Sequence, residues 1–146
     1  MVQGSLLDAA TSALLARYVQ AWERDDVAGL VALLKEDAIL NMPPLPSWFW
    51  GREAIRVILT STVFDIGVQK KWRLYPTGAN AQPAFVLYRA GESSGLYRAF
   101  GIQVVTLDRT APARHIAEVT IFNVPSLVTS FGFPLNCLGE PSDIKD

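Results

Sequence analysis

The chain has 146 residues, of which 50% are hydrophobic and 18% are charged, and its formal net charge is −1. This length suits a single domain, which we expect over residues 1–146 with a core at about 7–135. The apolar composition excludes a disordered chain, and the balanced charge excludes the basic surface of a nucleic-acid-binding protein. A single cysteine and a single histidine exclude a disulfide framework and argue against a metal site, so we expect no metal and no other cofactor.

The N-terminal residues lack the basic, apolar and small-residue regions of a signal peptide. No apolar run approaches the roughly 20 residues of a membrane-spanning helix. We therefore expect a cytoplasmic protein that does not contact membranes. Its apolar fraction is high for a monomer of this length, which predicts either an enclosed apolar cavity or a face buried against a partner subunit.

Three segments have the apolar spacing of helices. Residues 7–24 place apolar side chains every three or four positions. Asp25 and Asp26 can cap a second helix, whose apolar positions lie within residues 27–34. Residues 52–62 predict a third helix with its isoleucines turned inward.

Between the second and third helices, the sequence predicts a short strand followed by a loop. The strand covers residues 37–42 and stops at Pro43 and Pro44, since proline cannot donate to a strand ladder. Residues 45–50 are rich in proline and then strongly aromatic, so we expect an irregular loop there.

In the second half of the chain the hydrophobic pattern changes to the alternation of strands. Four strands are predicted, over residues 70–76, 83–89, 96–107 and 116–123. Short turns separate them, so neighbouring strands should pair antiparallel, and residues 125–131 are expected to form one helical turn. The fold class is therefore α+β, with three helices on the concave face of a curved, mainly antiparallel sheet. Such a cone has a mouth suited to a small molecule.

Several stretches of the sequence resemble a known family. Four of them are similar to the SnoaL-like branch of the NTF2-like superfamily, at residues 18–27, 30–34, 37–38 and 51–55. Four others are similar, more narrowly, to the C-terminal SnoaL-like domain of extracytoplasmic-function sigma factors, at residues 42–46, 72–74, 79–84 and 116–120. The resemblance extends over about residues 14–135 and implies the NTF2-like cone. Because no helix-turn-helix region accompanies it, we expect a free-standing relative of the sigma-factor domain.

The same resemblance implies a homodimer formed through the convex face of the sheet. Strict alternation along residues 96–107 puts Phe100, Ile102 and Val104 on one face. These side chains are apolar, which suits a contact between two sheets. We therefore expect them to lie on the face that is buried in the dimer.

Ketosteroid isomerases of this fold move a proton beside a carbonyl and hold the enolate with two hydrogen-bond donors. The resemblance puts Tyr18 at the position of their helical tyrosine and Gln103 at the position of their second donor. The position of their catalytic base falls on Met42, which cannot take a proton. Two donors are therefore expected without the usual base.

Limonene-type epoxide hydrolases of this fold use two aspartates that flank an arginine. The resemblance places Thr120 at one of the aspartate positions, and Val86, Leu87 and Tyr88 in the strand that should hold the other two groups. None of these side chains is a carboxylate or a cation. The epoxide-hydrolase set is therefore absent from the sequence.

Glu118 is the best remaining candidate for a general acid or base. Strand alternation puts Glu118, Thr120 and Phe122 on one face, and the match to the isomerases turns that face toward the cavity. A carboxyl among apolar neighbours has a raised pKa, which suits proton transfer. The alternative is that Glu118 lies near the strand edge and pairs with Arg98 or Arg114.

The catalytic candidates are thus Glu118, Tyr18 and Gln103, and other side chains are candidates for lining the cavity. The predicted ligand-binding residues are Trp22, Met42, Trp48, Trp50, Tyr88, Thr120 and Phe122. Trp48 and Trp50 can form a lid over the cavity mouth, a hydrophobic plug or a dimer contact. Trp22 and Met42 are also explained by core packing alone.

Three functions remain open from the sequence. The first is binding of a small hydrophobic molecule in an apolar cavity, with or without an isomerase-, cyclase- or epoxide-hydrolase-like activity that lacks the standard catalytic set. The second, implied by the sigma-factor resemblance, is a non-catalytic regulatory module that binds a ligand or another protein. The third is a dimerisation module whose cavity is filled by side chains. A carboxylate in the cavity separates the first from the others.

Overall fold

The structure is a computed structural model that describes residues 9–44, 46, 48–64, 72–79, 82–90, 96–108 and 115–137. The helices are α1 (Ala9–Glu23), α2 (Val27–Ala32), α3 (Arg52–Ile58), which continues into one π-helical turn (Leu59–Val63), and α4 (Leu127–Ser130). The strands are β1 (Leu34–Asn41), β2 (Trp48–Trp50), β3 (Trp72–Ala79), β4 (Gln82–Ala90), β5 (Tyr97–Leu107), β6 (Ile116–Phe122) and β7 (Asn136–Cys137).

The predicted helices are present, with one boundary moved. The side chain of Asp26 caps α2 by accepting a hydrogen bond from the Gly29 backbone N–H at 2.9 Å. The helix ends at Ala32, whereas the prediction carried it to Leu34. Leu34 instead opens β1 and is buried in the core, so this strand begins three residues before the predicted start at 37.

The sheet is mainly antiparallel, as predicted, and its strands run in the order β2-β1-β6-β5-β4-β3. Only the pairing of β1 with β6 is parallel among the pairs of described strands, and β7 pairs with the first residues of β5. The prediction that the aromatic segment is an irregular loop is wrong. Residues 48–50 form β2, in which Trp48 pairs with Asn41 and Trp50 with Ile39. The prolines before β2 lie in the reversal between the two strands and leave the aromatic residues free to pair.

The sheet has two faces with separate cores. The helix face, against which α1, α2 and α3 pack, includes Leu40, Leu87, Gln103, Val105, Val119 and Ile121. The outer face includes Ala84, Val86, Tyr88, Ile102 and, packed over them, Val128 of α4. Hydrophobic burial on both faces accounts for the high apolar content of the chain, because two cores are built on one sheet.

The C-terminal segment covers part of the outer face. Val128 is fully buried there, and Leu127, Phe131 and Phe133 pack beside it. Ile102 is only 1% exposed as a result. This side chain lies on the predicted face, where the C-terminal segment of the same chain covers it.

Phe100 does not share a face with Ile102 and Val104, so that part of the prediction is wrong. The register of β4 and β5 shifts between the pairs Leu87–Gly101 and Tyr88–Ala99, which leaves Phe100 as an extra residue. Such a bulge interrupts the alternation of side chains. Phe100 therefore turns to the helix face, where its ring meets Trp72 edge-on at 5.0 Å between centroids.

The bulge depends on a close approach between backbones. A Cβ at Gly101 would stand 1.8 Å from the carbonyl oxygen of Phe122, so only glycine fits at this position.

In the described part of the chain, no helix is long and apolar enough to cross a membrane.

Candidate functional site

The structure brings Tyr18 and Gln103 together in the core of the helix face. Tyr18 lies on the apolar stripe of α1. Gln103 lies on β5, and its side chain points to the helix face, whereas its neighbours Ile102 and Val104 point to the outer face. The Tyr18 hydroxyl donates a hydrogen bond to Gln103 Oε1 at 2.5 Å. Their side chains are 1% and 0% exposed. The two groups that the isomerase resemblance singled out as donors are therefore hydrogen-bonded to each other.

The apolar surroundings keep Tyr18 in its neutral form. Burial raises the pKa of the Tyr18 hydroxyl far above its usual value, because an ionised phenolate would be desolvated there. The Trp22 indole lies close enough to the hydroxyl to oppose that rise, although its N–H does not complete a hydrogen bond with good geometry. Tyr18 is consequently a hydrogen-bond donor and not a proton acceptor at ordinary pH.

Two buried N–H donors at this pair have no acceptor, one on Gln103 itself and one on the neighbouring Trp22. Trp22 Nε1 and Gln103 Nε2 are buried and have no hydrogen-bond partner among the described residues. A buried N–H without an acceptor costs about 1–3 kcal/mol. The core of the helix face therefore contains a polar point, formed by Tyr18, Trp22 and Gln103, with unused capacity to bind an oxygen atom.

The cavity beside this polar point is small. Its volume is about 20 Å³, enough for one water molecule. Sites for drug-sized ligands occupy roughly 300–1,000 Å³. The residues that line it are Tyr18, Trp22, Leu30, Leu34, Ile39, Leu40, Ile55, Leu59 and Val119. A steroid-sized molecule does not fit in this conformation.

Aromatic side chains occupy the space that an open cone would leave to a ligand. Trp22 contacts the rings of Phe64 and Trp72 at centroid distances of 4.9 and 5.6 Å. Phe85 adds a contact with Tyr18 at 5.7 Å. Phe64, Trp72 and Phe85 were not among the residues predicted to line the cavity. The signal for Trp72 and Phe85 is the alternation along β3 and β4, which places Trp72, Leu74, Phe85 and Leu87 on the helix face.

Glu118 does not face the cavity, so its prediction as a catalytic acid or base is wrong. Its neighbour Val119 pairs with Leu40 and Val105, which both belong to the core of the helix face. Alternation then turns Glu118 to the outer face. There the Asn41 side-chain amide donates to Glu118 Oε2 at 3.2 Å and contacts Thr120 Oγ1 at 3.4 Å.

The same alternation corrects the predictions for Thr120 and Phe122, which share the outer face with Glu118. The proposed pairing of Glu118 with Arg98 is also wrong. Glu118 lies opposite Thr106 near the end of β5, whereas Arg98 lies near its start and pairs with Asn136 of β7. Arg114 lies outside the described residues.

Tyr88 also lies on the outer face, so it does not line the cavity as predicted. Its ring meets Tyr75 edge-on at 5.6 Å, and its hydroxyl donates to the carbonyl oxygen of Pro134 at 2.5 Å. Tyr88 thus ties the C-terminal segment to the sheet. The predicted cavity side of β4 is instead occupied by Phe85 and Leu87.

The remaining predicted ligand-binding residues lie in three environments. Trp22 lines the cavity. Met42 is half-buried against the core of the helix face but is not among the residues that line the cavity. Trp48 and Trp50 are 70% and 72% exposed, and they neither cover nor fill the cavity. The Trp50 indole N–H donates to the carbonyl oxygen of Asp37 at 3.1 Å.

Carboxylates are absent from the polar point, as far as the described residues show. Glu23, one residue after Trp22, uses its carboxylate to accept the backbone N–H of Leu74 at 3.0 Å, at the free edge of β3. In the same part of the chain, no group of three or more His, Cys, Asp or Glu side chains is placed to hold a metal ion. Among the residues that the structure describes, the polar point presents hydrogen-bond donors and no carboxylate.

No family model matches the chain. Over 122 residues it is 34% identical to the ECF RNA polymerase sigma factor SigG of Mycobacterium tuberculosis, in the strains CDC 1551 / Oshkosh and H37Rv. The match covers 83% of this chain and 31% of the sigma factor, so the chain spans about a third of the length of these relatives. The predicted resemblance to a sigma-factor region is confirmed.

Solved structures extend the comparison to the fold. A steroid Δ-isomerase from Pseudomonas aeruginosa has a TM-score of 0.59 and 21% identity, covering 80% of each chain. A protein from Shewanella denitrificans, named for the SnoaL-like polyketide cyclases, has a TM-score of 0.57 and 11% identity, covering 85% of this chain and 97% of its own. An NTF-2 like protein of unknown function from Burkholderia xenovorans has a TM-score of 0.55 and 13% identity, covering 76% and 80%. The predicted α+β architecture is confirmed.

Proposed function

Because the chain has the NTF2-like fold of SnoaL-like proteins and ketosteroid isomerases, we propose that its helix face binds a small, mainly apolar molecule through one acceptor oxygen. The observation that carries this proposal is the pair of buried donors without acceptors, Trp22 Nε1 and Gln103 Nε2. Two buried donors without acceptors, one of them on Trp22 in the wall of the apolar cavity, match a carbonyl, ether or hydroxyl oxygen on a hydrocarbon body.

Tyr18 positions the site in this proposal. Its hydrogen bond to Gln103 Oε1 fixes the amide, so that Gln103 Nε2 points away from Tyr18 and remains available to the ligand. The ligand oxygen then accepts from Gln103 Nε2 and Trp22 Nε1. Its hydrocarbon body contacts the apolar residues that line the cavity, including Ile55 and Leu59.

Entry of a ligand larger than water requires the cavity to widen. Ile55 and Leu59 form part of its wall, and Leu59 is the first residue of the π-helical turn that follows α3. Single π-helical turns with i→i+5 hydrogen bonds are found often at functional sites. We propose that the wall formed by α3 and this turn moves outward when the ligand binds.

The proposed activity is binding without turnover. An isomerase needs a base beside its oxyanion donors, and Met42 stands at that position in the sequence match. The only acid candidate singled out from the sequence, Glu118, lies on the outer face. The relationship to a sigma factor fits a cytoplasmic regulatory module whose occupancy by a ligand is its signal.

A second candidate function, the binding of a protein partner, is favoured by one specific observation. Trp48 and Trp50 expose most of their side chains on the short edge strand β2. Exposed tryptophans are enriched at protein interfaces, where they combine a large apolar area with little conformational entropy. In this alternative, β2 forms the contact, and the cavity of the helix face remains filled.

A ligand screen built on matched pairs tests the first candidate. The probes are ketones of increasing size, namely cyclohexanone, camphor and androstenedione, each compared with the hydrocarbon that lacks the oxygen. A ligand at 100 times its Kd adds about 2.7 kcal/mol to stability, and about 1 kcal/mol raises the Tm of a domain of this size by about 2–4 °C. At least one ketone should therefore raise the Tm by several degrees more than its hydrocarbon.

Two variants assign that preference to the site. Gln103→Leu should abolish the difference between ketone and hydrocarbon. Gln82→Leu is the matched control, because the Gln82 amide donates to Thr106 Oγ1 and not to the polar point. Equal shifts by ketone and hydrocarbon would refute the role of the donors. No shift with any probe, together with a Gln103→Leu variant as stable as the wild type, would refute ligand binding and favour a filled core.

A further inference from the structure

A second and larger cavity lies between α1 and α2. Its volume is about 180 Å³, and it is lined by Arg17, Gln20, Ala21, Arg24, Asp26, Gly29 and Leu33. A cavity of about 150 Å³ accommodates a benzene ring. We infer that this groove binds a small monocarboxylic acid whose apolar body is of about that size.

The rim of the groove is cationic. Arg17, Gln20 and Arg24 are three and seven positions apart, and the helical hydrogen bond from Arg24 N to Gln20 O, at 2.9 Å, places them on one face of α1. Neither arginine forms an ion pair with any carboxylate among the residues that the structure describes. Two guanidinium groups are therefore available at the same opening.

The floor of the groove is apolar. Ala21 and Leu33 line it and are 5% and 9% exposed, so their contact with water is limited to the groove itself. An arginine pair alone attracts any anion, but an apolar floor contributes only to ligands that have a hydrocarbon surface. The guanidinium fork fits a carboxylate through two parallel N–H···O bonds. Carboxylate at the rim and hydrocarbon on the floor define the ligand class.

Asp26 restricts the charge of the ligand. Its Oδ1 accepts the Gly29 N–H and caps α2, so this exposed carboxylate is held in place beside the groove that it lines. The groove therefore carries two positive charges and one negative charge. A second negative charge on the ligand would approach Asp26 and be repelled. The arrangement favours a monoanion over a dicarboxylate or a phosphate dianion.

Gly29 keeps this wall open. A Cβ at position 29 would lie 2.2 Å from Asp26 Oδ2, so any side chain there would push the carboxylate out of its capping position. The groove and the cap are thus built by the same two residues. The site is independent of the polar point at Tyr18 and Gln103, and its test does not depend on the proposed function.

The test is a titration of the full chain with benzoate and with the neutral isostere benzamide, followed by amide NMR at low ionic strength. Charge-assisted bonds to two arginines are stronger than neutral ones, so benzoate should bind at least about fivefold more tightly than benzamide. The Gly29 amide and the Arg17 and Arg24 side-chain N–H groups should be among the signals that shift.

Three charge variants make the assignment specific. Arg17→Gln and Arg24→Gln should each weaken benzoate about 1.4- to 5-fold and leave benzamide unchanged, since an exposed charge contributes about 0.2–1 kcal/mol. Arg98→Gln, on the distant end of β5, is the matched control and should change neither. Asp26→Asn should tighten benzoate about threefold, because asparagine still caps the helix but removes the repelling charge.

Other outcomes would overturn the inference. Benzamide binding as tightly as benzoate would show that the arginines do not select the ligand. Unchanged benzoate affinity in both arginine variants would place the anion elsewhere, and weaker binding in Asp26→Asn would contradict the charge argument. Asp26→Asn is expected to increase the affinity for benzoate, and a variant that fails to fold would not show such an increase.

Discussion

The hydrogen bond between Tyr18 and Gln103 allows a double-mutant test of how the polar point is built. Tyr18→Phe removes the hydroxyl and leaves both polar atoms of the Gln103 amide buried without partners. Gln103→Leu removes the amide and leaves the Tyr18 hydroxyl without an acceptor. The double variant removes both polar groups at once and replaces them with apolar side chains of similar size.

The expected magnitudes follow from burial. Both side chains are at most 1% exposed, so water does not replace the lost partner. An orphaned buried group costs about 1–3 kcal/mol, so Tyr18→Phe should lose that much. Gln103→Leu should lose less, because it also removes the Gln103 Nε2 donor that has no acceptor in the wild type. The double variant leaves no orphan from the pair, so its loss should be smaller than the sum by about 1–3 kcal/mol.

Urea unfolding of the wild type, the two single variants and the double variant measures this coupling. The matching thermal shift for Tyr18→Phe is about 2–12 °C, at 2–4 °C for each kcal/mol. Additive losses in the double variant would refute the reasoning, since they would mean that the two groups do not satisfy each other. A Tyr18→Phe variant within about 0.5 kcal/mol of the wild type would also refute it, because the site would then be open to water.

The structure makes three further predictions. Since burial raises the pKa of Tyr18 above its usual value, the unfolded chain ionises first at high pH. Stability should therefore be unaffected by this group below about pH 10 and fall above it, by up to about 1.4 kcal/mol per pH unit, and Tyr18→Phe should remove that part of the slope in urea titrations. Glu23→Ala should lose about 1–2 kcal/mol in the same assay, because the Leu74 N–H loses its acceptor, and Glu23→Gln should lose less. If the chain forms a homodimer through the outer face, Val104→Asp should give a monomer in analytical ultracentrifugation, whereas Val57→Asp on the exposed side of α3 should not.

The sequence predicted the elements well because their signals are local. The helical spacing before residue 24 and the alternation after residue 72 both arise from burial of one face, and hydrophobic periodicity reports that burial directly. The strand β2 was missed because its three residues follow two prolines and are too few to show a period. Its partner β1 supplies the pairing, which is information from elsewhere in the chain.

The candidate site was only partly predictable. Alternation shows which residues of a strand share a face, but it does not show which face turns inward, and the inward face of β6 was assigned wrongly. One face of β6 carries Val119 and Ile121, and the other carries Glu118 and Thr120. The face with the apolar side chains is the one that packs in the core, so apolar content predicts the inward face better than the match to the isomerases does. The link from Tyr18 to Gln103 followed from the resemblance alone, since no local pattern connects residues 85 positions apart.

The single extra residue in β5 has a consequence for how related domains diverge. It turns Phe100 against Trp72 and thereby places a phenyl ring in the space under the helices. In a relative without the extra residue, strict alternation would carry that ring to the opposite side of the sheet. A one-residue deletion would thus take one ring out of the packing around Trp72, while Trp22, Phe64 and Phe85 stay in place. Packing on the helix face can therefore change through the length of one strand, without a substitution in the cavity wall.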